Sequence, residues 1–416
     1  MPQQFIALLP VMTLACLALG CTESNGVPRG APESRDSSGI MIVTSTAPRV
    51  LGDESWTIAA DPILQIGAIE GDSAYLFGLI WDATRLPDGR IIVTDGRSLD
   101  IREYDDNGHF ESRFGGRGNG PAEFGGAPWV TSVAPDTLLV WDAGHERLSR
   151  FDLTGTLQDQ ILVRPTINDH SIVRLGGGLV WQVAADAAIL STGPAESRRF
   201  HEGLNDDMRR FVVLEPALER SHDFGAFPAG QNSAIRRADG LLMGIGNPYA
   251  PSTLAVLGPP SHRVSIAGTE SWEIRTYSSD GTLVRILRAA IPRTPVDATL
   301  ELERNRLPTI AERMGLSLAE ANTAFDRFDL PDSVPPIAAL HWDDSGNLWV
   351  GRRTGPIRDV QAYDIFDGNG AWLTTVHLPP AIGRIHEIGD GYILATWTDE
   401  LDVPYLRMYE IQKRDE

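Results

Sequence analysis

Apolar residues along this chain come in short runs, and the runs follow a recurring rule: a two-residue turn, then a β-rich stretch. The pairs are Asp88-Gly89 before RIIVTD, Pro135-Asp136 before TLLVWD, Gly177-Gly178 before LVWQVA, Asp239-Gly240 before LLMGIG, Ser345-Gly346 before NLWVGR and Asp390-Gly391 before YILATW. Residues of the Asp-Gly kind accept the positive φ that a tight turn between antiparallel strands demands, so each pair predicts a hairpin. Apolar stretches also stand before the turns, as in AALHW at 338–342 and RIHEI at 384–388, and supply the first strand of each hairpin.

The clearest repeats continue. After RIIVTD come IREY, the turn DDNG and HFESRF; after TLLVWD come LSRF, a turn at Gly155 and TLQDQIL; WEIRTY and AYDIF are each followed by a Gly-containing turn and another apolar run. Four short antiparallel strands, recurring around an axis, predict an all-β, six-bladed β-propeller over 40–416. Most intervals between turns fall near the ~40–50 residues of one blade, and two carry insertions. A β-sandwich, the rival architecture, does not call for equivalent hairpins at blade spacing. The last repeat ends with Tyr405 to Gln412 as its third strand, so WTIAADPILQI at 56–66 is expected to add the missing outer one, which would leave no open sheet edge there.

Within 295–334 the period changes. TLELERNRLPTIAERMGLSLAEANTAFDRF places Leu and Ala at helical spacing, Gly315 suits a helix stop, and Ser317 with Glu320 makes a capping box. Two short helices are expected, packed over the mouth of the ring or against its rim, either as a lid or partner surface or as a plain loop elaboration.

The N-terminus carries another pattern. Phe5 to Gly20 is an uncharged apolar run of 16 residues, too short to cross about 30 Å of hydrocarbon comfortably, and it reads as the apolar region of a signal peptide over 1–20. Leu17, Ala18, Leu19 and Gly20, directly before Cys21, resemble the lipobox of bacterial lipoproteins. That resemblance implies cleavage before Cys21, lipid on its sulfur and, with Thr22 rather than Asp next in line, delivery to an outer membrane. Residues 21–39, polar and rich in Pro, Gly and Ser, read as a flexible tether. The address is the cell envelope, with the membrane reached through the N-terminal lipid.

A second resemblance rests on residues 85–128, RLPDGRIIVTDGRSLDIREYDDNGHFESRFGGRGNGPAEFGGAP. The Asp that closes the second strand, the aromatic-Asp turn in YDDNG and the stretch FGGRGNGPAEF resemble an NHL-type propeller repeat. The next repeat keeps the Asp and the aromatic-Asp pair in VWDAGHERLSRFDLTG, and later repeats keep only the hairpin. The chain therefore resembles the bacterial six-bladed, NHL-like lipoprotein group. That group holds amidating lyases, gluconolactonase-like hydrolases and many binding modules, so the resemblance implies a fold and leaves the activity open.

Charge removes some partners. Against 56 Asp and Glu stand 36 Lys and Arg, a formal net charge of −20, which excludes nucleic acid as a partner because that affinity rests on clustered cations that neutralise phosphates. Both cysteines, Cys16 and Cys21, lie in the first 21 residues, which excludes a disulfide scaffold, a Cys-based zinc site and a Cys nucleophile from the body.

The chemistry is harder to read. HExxH and GxSxG are absent, and GGRGNG at 115–120 lacks the Lys-Ser/Thr ending and the following helix of a phosphate loop. Asp95 and Asp142 hold equivalent repeat positions and are expected to bond loop amides. Loops between second and third strands, and links between repeats, should collect on one face. The candidate ligand-binding residues there are Arg97, Arg117, Asp142, His145, Arg147, Arg352 and Arg353, since cations gathered on one face of an acidic chain suit a carboxylate or acidic glycan. No catalytic residue or cofactor is assigned, and a divalent metal among the scattered His and Asp stays open. The leading reading is a binding module for a protein, peptide or glycan. The alternatives are a propeller hydrolase or lyase with a metal in the central funnel, and a structural component of an outer-membrane assembly.

Overall fold

The computed structural model describes residues 31–413 apart from 51–54, 135–136, 163–179, 185–186, 193–200, 215–220, 238, 259–262 and 354–359. The signal region with Cys16 and Cys21, and the turns at Pro135-Asp136 and Gly177-Gly178, lie outside the described residues. Within them the chain is mostly β and forms six sheets that follow one another along the sequence. The first holds Ile80–Arg85, Ile91–Asp95, Asp100–Tyr104 and Phe110–Gly115. The second holds Pro128–Ala134, Thr137–Asp142, Arg147–Asp152 and Leu157–Leu162. The third has five strands, Val180–Ala184, Ala187–Thr192, Gly203–Leu214, Ser221–Arg236 and Leu242–Gly246. The fourth runs Thr253–Gly258, Arg263–Gly268, Glu273–Tyr277 and Leu283–Ala289. The fifth runs Ile337–Trp342, Leu348–Arg353, Val360–Phe366 and Trp372–His377, and the sixth Ile382–Gly389, Tyr392–Thr398 and Pro404–Gln412.

Second strands such as IIVTD read as unbroken apolar runs because both faces are covered. Successive side chains point to opposite faces of a strand. Ile91 and Val93 pack with Leu394 and Leu406 of the sixth sheet, while Ile92 packs with Leu138 and Val140 of the second. The fifth sheet repeats the arrangement: Leu348 and Val350 face Leu254 and Trp272 of the fourth, and Trp349 faces Ile385 and Ile393 of the sixth. A third sheet–fourth sheet cluster joins Phe211 and Val213 to Ala255 and Val264.

Strands from the N-terminal segment complete two sheets. Thr57–Ile58 and Leu64–Ile66 pair antiparallel with Pro404–Gln412, Ile58 opposite Ile411 and Ile66 opposite Leu406, as the pattern of WTIAADPILQI led us to expect. Ile40–Ser45 lies parallel to Leu283–Ala289 at the outer edge of the fourth sheet, and Glu33–Ser37 pairs with it in turn. Residues 33–37, read from composition as part of the tether, are thus a strand. All five side chains are exposed, so composition carries no trace of pairing that is made entirely by backbone.

One repeat begins elsewhere than expected. The Asp239-Gly240 hairpin, assigned from sequence to the fourth repeat, joins Ser221–Arg236 to Leu242–Gly246 at the outer end of the third sheet. The fourth sheet opens instead on Thr253–Gly258 and Arg263–Gly268, whose link PPSH carries no Asp-Gly pair. Val180–Ala184 is the first described strand of its sheet and lies next to Pro128–Ala134 and Thr253–Gly258; the strand expected before it, at 171–175, lies outside the described residues. An inner and an outer hairpin have the same local signature, and only the pairing separates them.

The insertion does fold as two helices, α1 (Asp297–Met314) and α2 (Leu318–Phe325). Gly315 ends α1 at φ 61° in the left-handed region that glycine enters most cheaply, and Ser317 and Glu320 form the reciprocal capping box. The helices pack against the third sheet's outer hairpin through Ala311, Leu316, Ala321 and Ala324 on Ile235 and Ile245, and beyond it through Leu307 and Phe325 on Tyr249.

Candidate functional site

Asp142 closes the second strand of its sheet and is fully buried. One oxygen accepts from the backbone amides of Gly126 and Gly144, both at 3.0 Å, and the other from Gly125 at 3.0 Å and from His145 Nδ1 at 2.6 Å. Arg147 stands 3.6 Å from the carboxylate and donates to the carbonyls of Gly120 and Glu123. Asp95 makes the equivalent knot one sheet earlier, accepting from the amides of Gly78, Arg97 and Ser98. The repeat Asp therefore pins the link at 116–127 and the turn after its own strand, as the repeat comparison anticipated.

Of the remaining candidates, Arg117 donates to the carbonyl of Arg97 at 3.4 Å. Arg352 does not join them: it forks onto Asp364 within the fifth sheet, with Nε–Oδ2 at 2.6 Å and Nη2–Oδ1 at 2.5 Å. Arg353 turns the other way, donates to the carbonyl of Pro248 and lines a cavity. The structure thus brings Asp142, His145 and Arg147 together, ties Arg117 to Arg97, and leaves the fifth-sheet pair apart from both groups.

Histidines serve separate local roles. His109 contacts Asp105 at 2.9 Å, His386 lies between Asp82 and Thr396, and the His341 ring meets Tyr363 edge-on at 5.7 Å. Among the described residues no three of His, Cys, Asp and Glu converge as a metal-ligand set. Burial, aided by the charges of Arg384 and His386, lowers the pKa of His341 to about 4. Its unfolded value lies near 6.5, so the unfolded chain binds the extra proton first. Stability present above pH 6.5 is lost as pH falls towards 4, by roughly 2–3 kcal/mol at pH 4.5. Urea unfolding at pH 7.0 and 4.5 should show a larger loss for the wild type than for His341→Gln, and equal losses would contradict the assignment.

The cavity that receives Arg353 measures about 500 Å³ and lies between α1 and α2 on one side and the third, fourth and fifth sheets on the other. Its apolar wall includes Leu254, Leu307, Phe325 and Ile337, and its polar groups include Asp207, Asn232, Ser252, Glu303 and Arg306. Glu303 lies on the inward stripe of α1 with Thr299, Leu307 and Ala311 and is only 2% exposed. Its one hydrogen-bond partner among the described residues is Arg306, at 3.4–3.5 Å. Burial pushes its pKa up against the opposing pull of Arg306 and Arg353. Asp207 is also raised by burial, despite its bond to Asn232. The Ser252 hydroxyl is buried without a hydrogen-bond partner among the described residues. The cavity therefore offers carboxyl acceptors, a guanidinium donor and an unused hydroxyl over an apolar floor.

Except for Arg353, none of these groups was a candidate from sequence. The trace that could have exposed Glu303 is its place in the stripe at 299, 303, 307 and 311, where a charged residue interrupts the buried face. Asp207, Asn232 and Ser252 come from the third sheet and the link after it, so no local pattern ties them to α1.

No helix of the described residues is long and apolar enough to cross a membrane. No family model matches the chain, and no curated protein matches it. Among solved structures it is similar to a member of the DUF4221 family from Bacteroides vulgatus, with a TM-score of 0.50 and 7% identity over 87% of this chain and 100% of that one. It is also similar to a Bacteroides fragilis protein described as a "putative exported protein" (TM-score 0.47, 10% identity, 89% and 100% covered). A third likeness is to a gluconolactonase from Xanthomonas campestris (TM-score 0.38, 13% identity, 85% and 100% covered). At these identities the likeness is one of fold alone.

Proposed function

We propose that this chain is a lipid-anchored, six-bladed β-propeller of the bacterial envelope that binds a peptide or glycan segment in the cavity beneath its helical insertion. Support for the ring comes from the run of six sheets, from the packing of the sixth on the first through Leu394, Leu406, Ile91 and Val93, and from the N-terminal strands on Pro404–Gln412. The observation that carries the binding reading is the cavity of about 500 Å³. It falls in the ~300–1,000 Å³ range of ligand sites and joins an apolar wall to polar groups that could orient a ligand. Among the described residues its buried Glu303 carboxyl has only a long hydrogen bond to Arg306, and a ligand hydroxyl or amide N–H would give it the partner that a buried carboxyl needs.

Two measurements test this. Screening glycan and peptide panels against the soluble protein should yield a ligand whose affinity falls at least ~10-fold in Ala338→Trp, a variant that fills the cavity while keeping every polar group. A ligand bound equally by that variant would place binding elsewhere. For the anchor, Cys21→Ser should release the full-length protein from the membrane fraction and abolish incorporation of labelled palmitate. Retention and labelling in that variant would remove the lipid from the reading.

A further inference from the structure

A second cluster shares no residue with the cavity and sits where the leading strands of the first, second and sixth sheets come together. Arg384, on the sixth sheet, sets its guanidinium 4.3 Å from the ring centre of Trp129 and 5.9 Å from that of Trp81. The two indoles meet edge-on at 5.4 Å. Nη1 of Arg384 donates to the carbonyl of Trp81 at 2.9 Å, its one hydrogen bond among the described residues. Arg384 keeps accessible surface, yet burial lowers its pKa. Its guanidinium leans on the two indoles while the side chain stays exposed on its other side.

The neighbouring charges nearly cancel. Asp82 is the acid whose field reaches Arg384, and its oxygens are already engaged by His386 Nδ1 at 3.4 Å and the amide of Val130 at 3.0 Å. His341 and His386 both have lowered pKa values and are neutral at pH 7. One guanidinium with unused N–H groups, two neutral imidazoles and two indole walls make a weakly positive, largely apolar setting.

The geometry points to an anion site on Arg384 that takes a carboxylate carried on a ring body. The guanidinium presents paired N–H donors that match a carboxylate in bidentate fashion, and the apolar indole surface beside it offers contact to the ring that carries the carboxylate. A dianion such as phosphate would bring two charges to a site with a single cation, so a monoanion is favoured. This site is independent of the cavity under α1, and it uses none of the arginines singled out from sequence.

Calorimetric titration of the soluble protein with benzoate, glucuronate and inorganic phosphate at pH 7 tests it. Benzoate binding would identify an aromatic acid as the ring body, and glucuronate binding a uronic acid. Binding of either should weaken at least ~10-fold in Arg384→Gln and to a similar degree in Arg384→Lys, whose ammonium cannot make the bidentate pair. Ala338→Trp, which fills the other cavity, should leave it unchanged. Near-UV circular dichroism checks that the variants fold, and Arg384→Lys carries the test if the Gln variant does not. The inference is overturned if neither carboxylate binds, if phosphate binds at least as tightly, or if a folded Arg384 variant binds as the wild type does.

Discussion

Asp142→Ala should lower unfolding stability by about 3–5 kcal/mol, the range for leaving a buried ionic network without one partner. The substitution removes the acceptor of three backbone amides, Gly125, Gly126 and Gly144, and of the His145 ring. It also leaves Arg147, only 6% exposed, without its nearby carboxylate. The loops have little room to find new partners. Gly144 lies so close to the link that a Cβ there would come within 2.2 Å of the Gly125 carbonyl carbon, so the two segments cannot separate without losing their fit. Asp142→Asn keeps one acceptor oxygen but turns an NH₂ towards donors, and should lose roughly half as much. Urea unfolding measures both. Hydrogen exchange at 116–127 should accelerate ahead of the rest of the protein, and a loss below ~1 kcal/mol for Asp142→Ala would show that the clamp is dispensable.

Trp349→Ala is expected to cost a similar ~3–5 kcal/mol, by a different mechanism. Its indole is fully buried where the fifth and sixth sheets meet, 6.0 Å from the Tyr363 ring and 6.4 Å from Trp56. Truncation leaves a cavity between two sheets whose strands are fixed by their own ladders, so collapse into it is limited. The indole N–H also donates to Asp343 at 2.9 Å. Trp349→Phe retains most of the packing, and Asp343 still accepts from the backbone and side chain of Asn347, so it should lose only ~1–2 kcal/mol. Because Trp56 flanks Thr57–Ile58, the Ala variant should also loosen the N-terminal strand on Pro404–Gln412, seen as faster exchange of the Ile411 amide region. Unchanged exchange there would mean that backbone pairing alone holds that strand.

Local signals served unevenly in this chain. The two helices were legible down to the capping box at Ser317, because caps and turn stops act within a few residues. The Asp95 and Asp142 knots were legible because the same residue recurs at the same place in consecutive repeats. The start of the fourth sheet was not: PPSH lacks the turn signature that Asp239-Gly240 displays, and the more conspicuous hairpin lies at the outer end of the third sheet. Glu33–Ser37 escaped notice for the opposite reason, a strand whose side chains are all exposed.

Sequence by itself determined the β-rich character, the sheet-forming runs, the helical insertion with its stops, and the residues that tie loops to strands. All of these depend on periodicity or on contacts a few residues apart. Tertiary structure decided which hairpin belongs to which sheet, which is a matter of long-range pairing. It decided that Arg353 opens into a cavity while adjacent Arg352 folds back on Asp364, because neighbours along a strand face opposite ways. And it alone placed Glu303 of α1 in one cavity with Ser252, and Arg384 beside Trp129 and Trp81, 255 and 303 residues earlier in the chain. Sites of that kind are assembled by packing between distant segments, and no window along the sequence contains them.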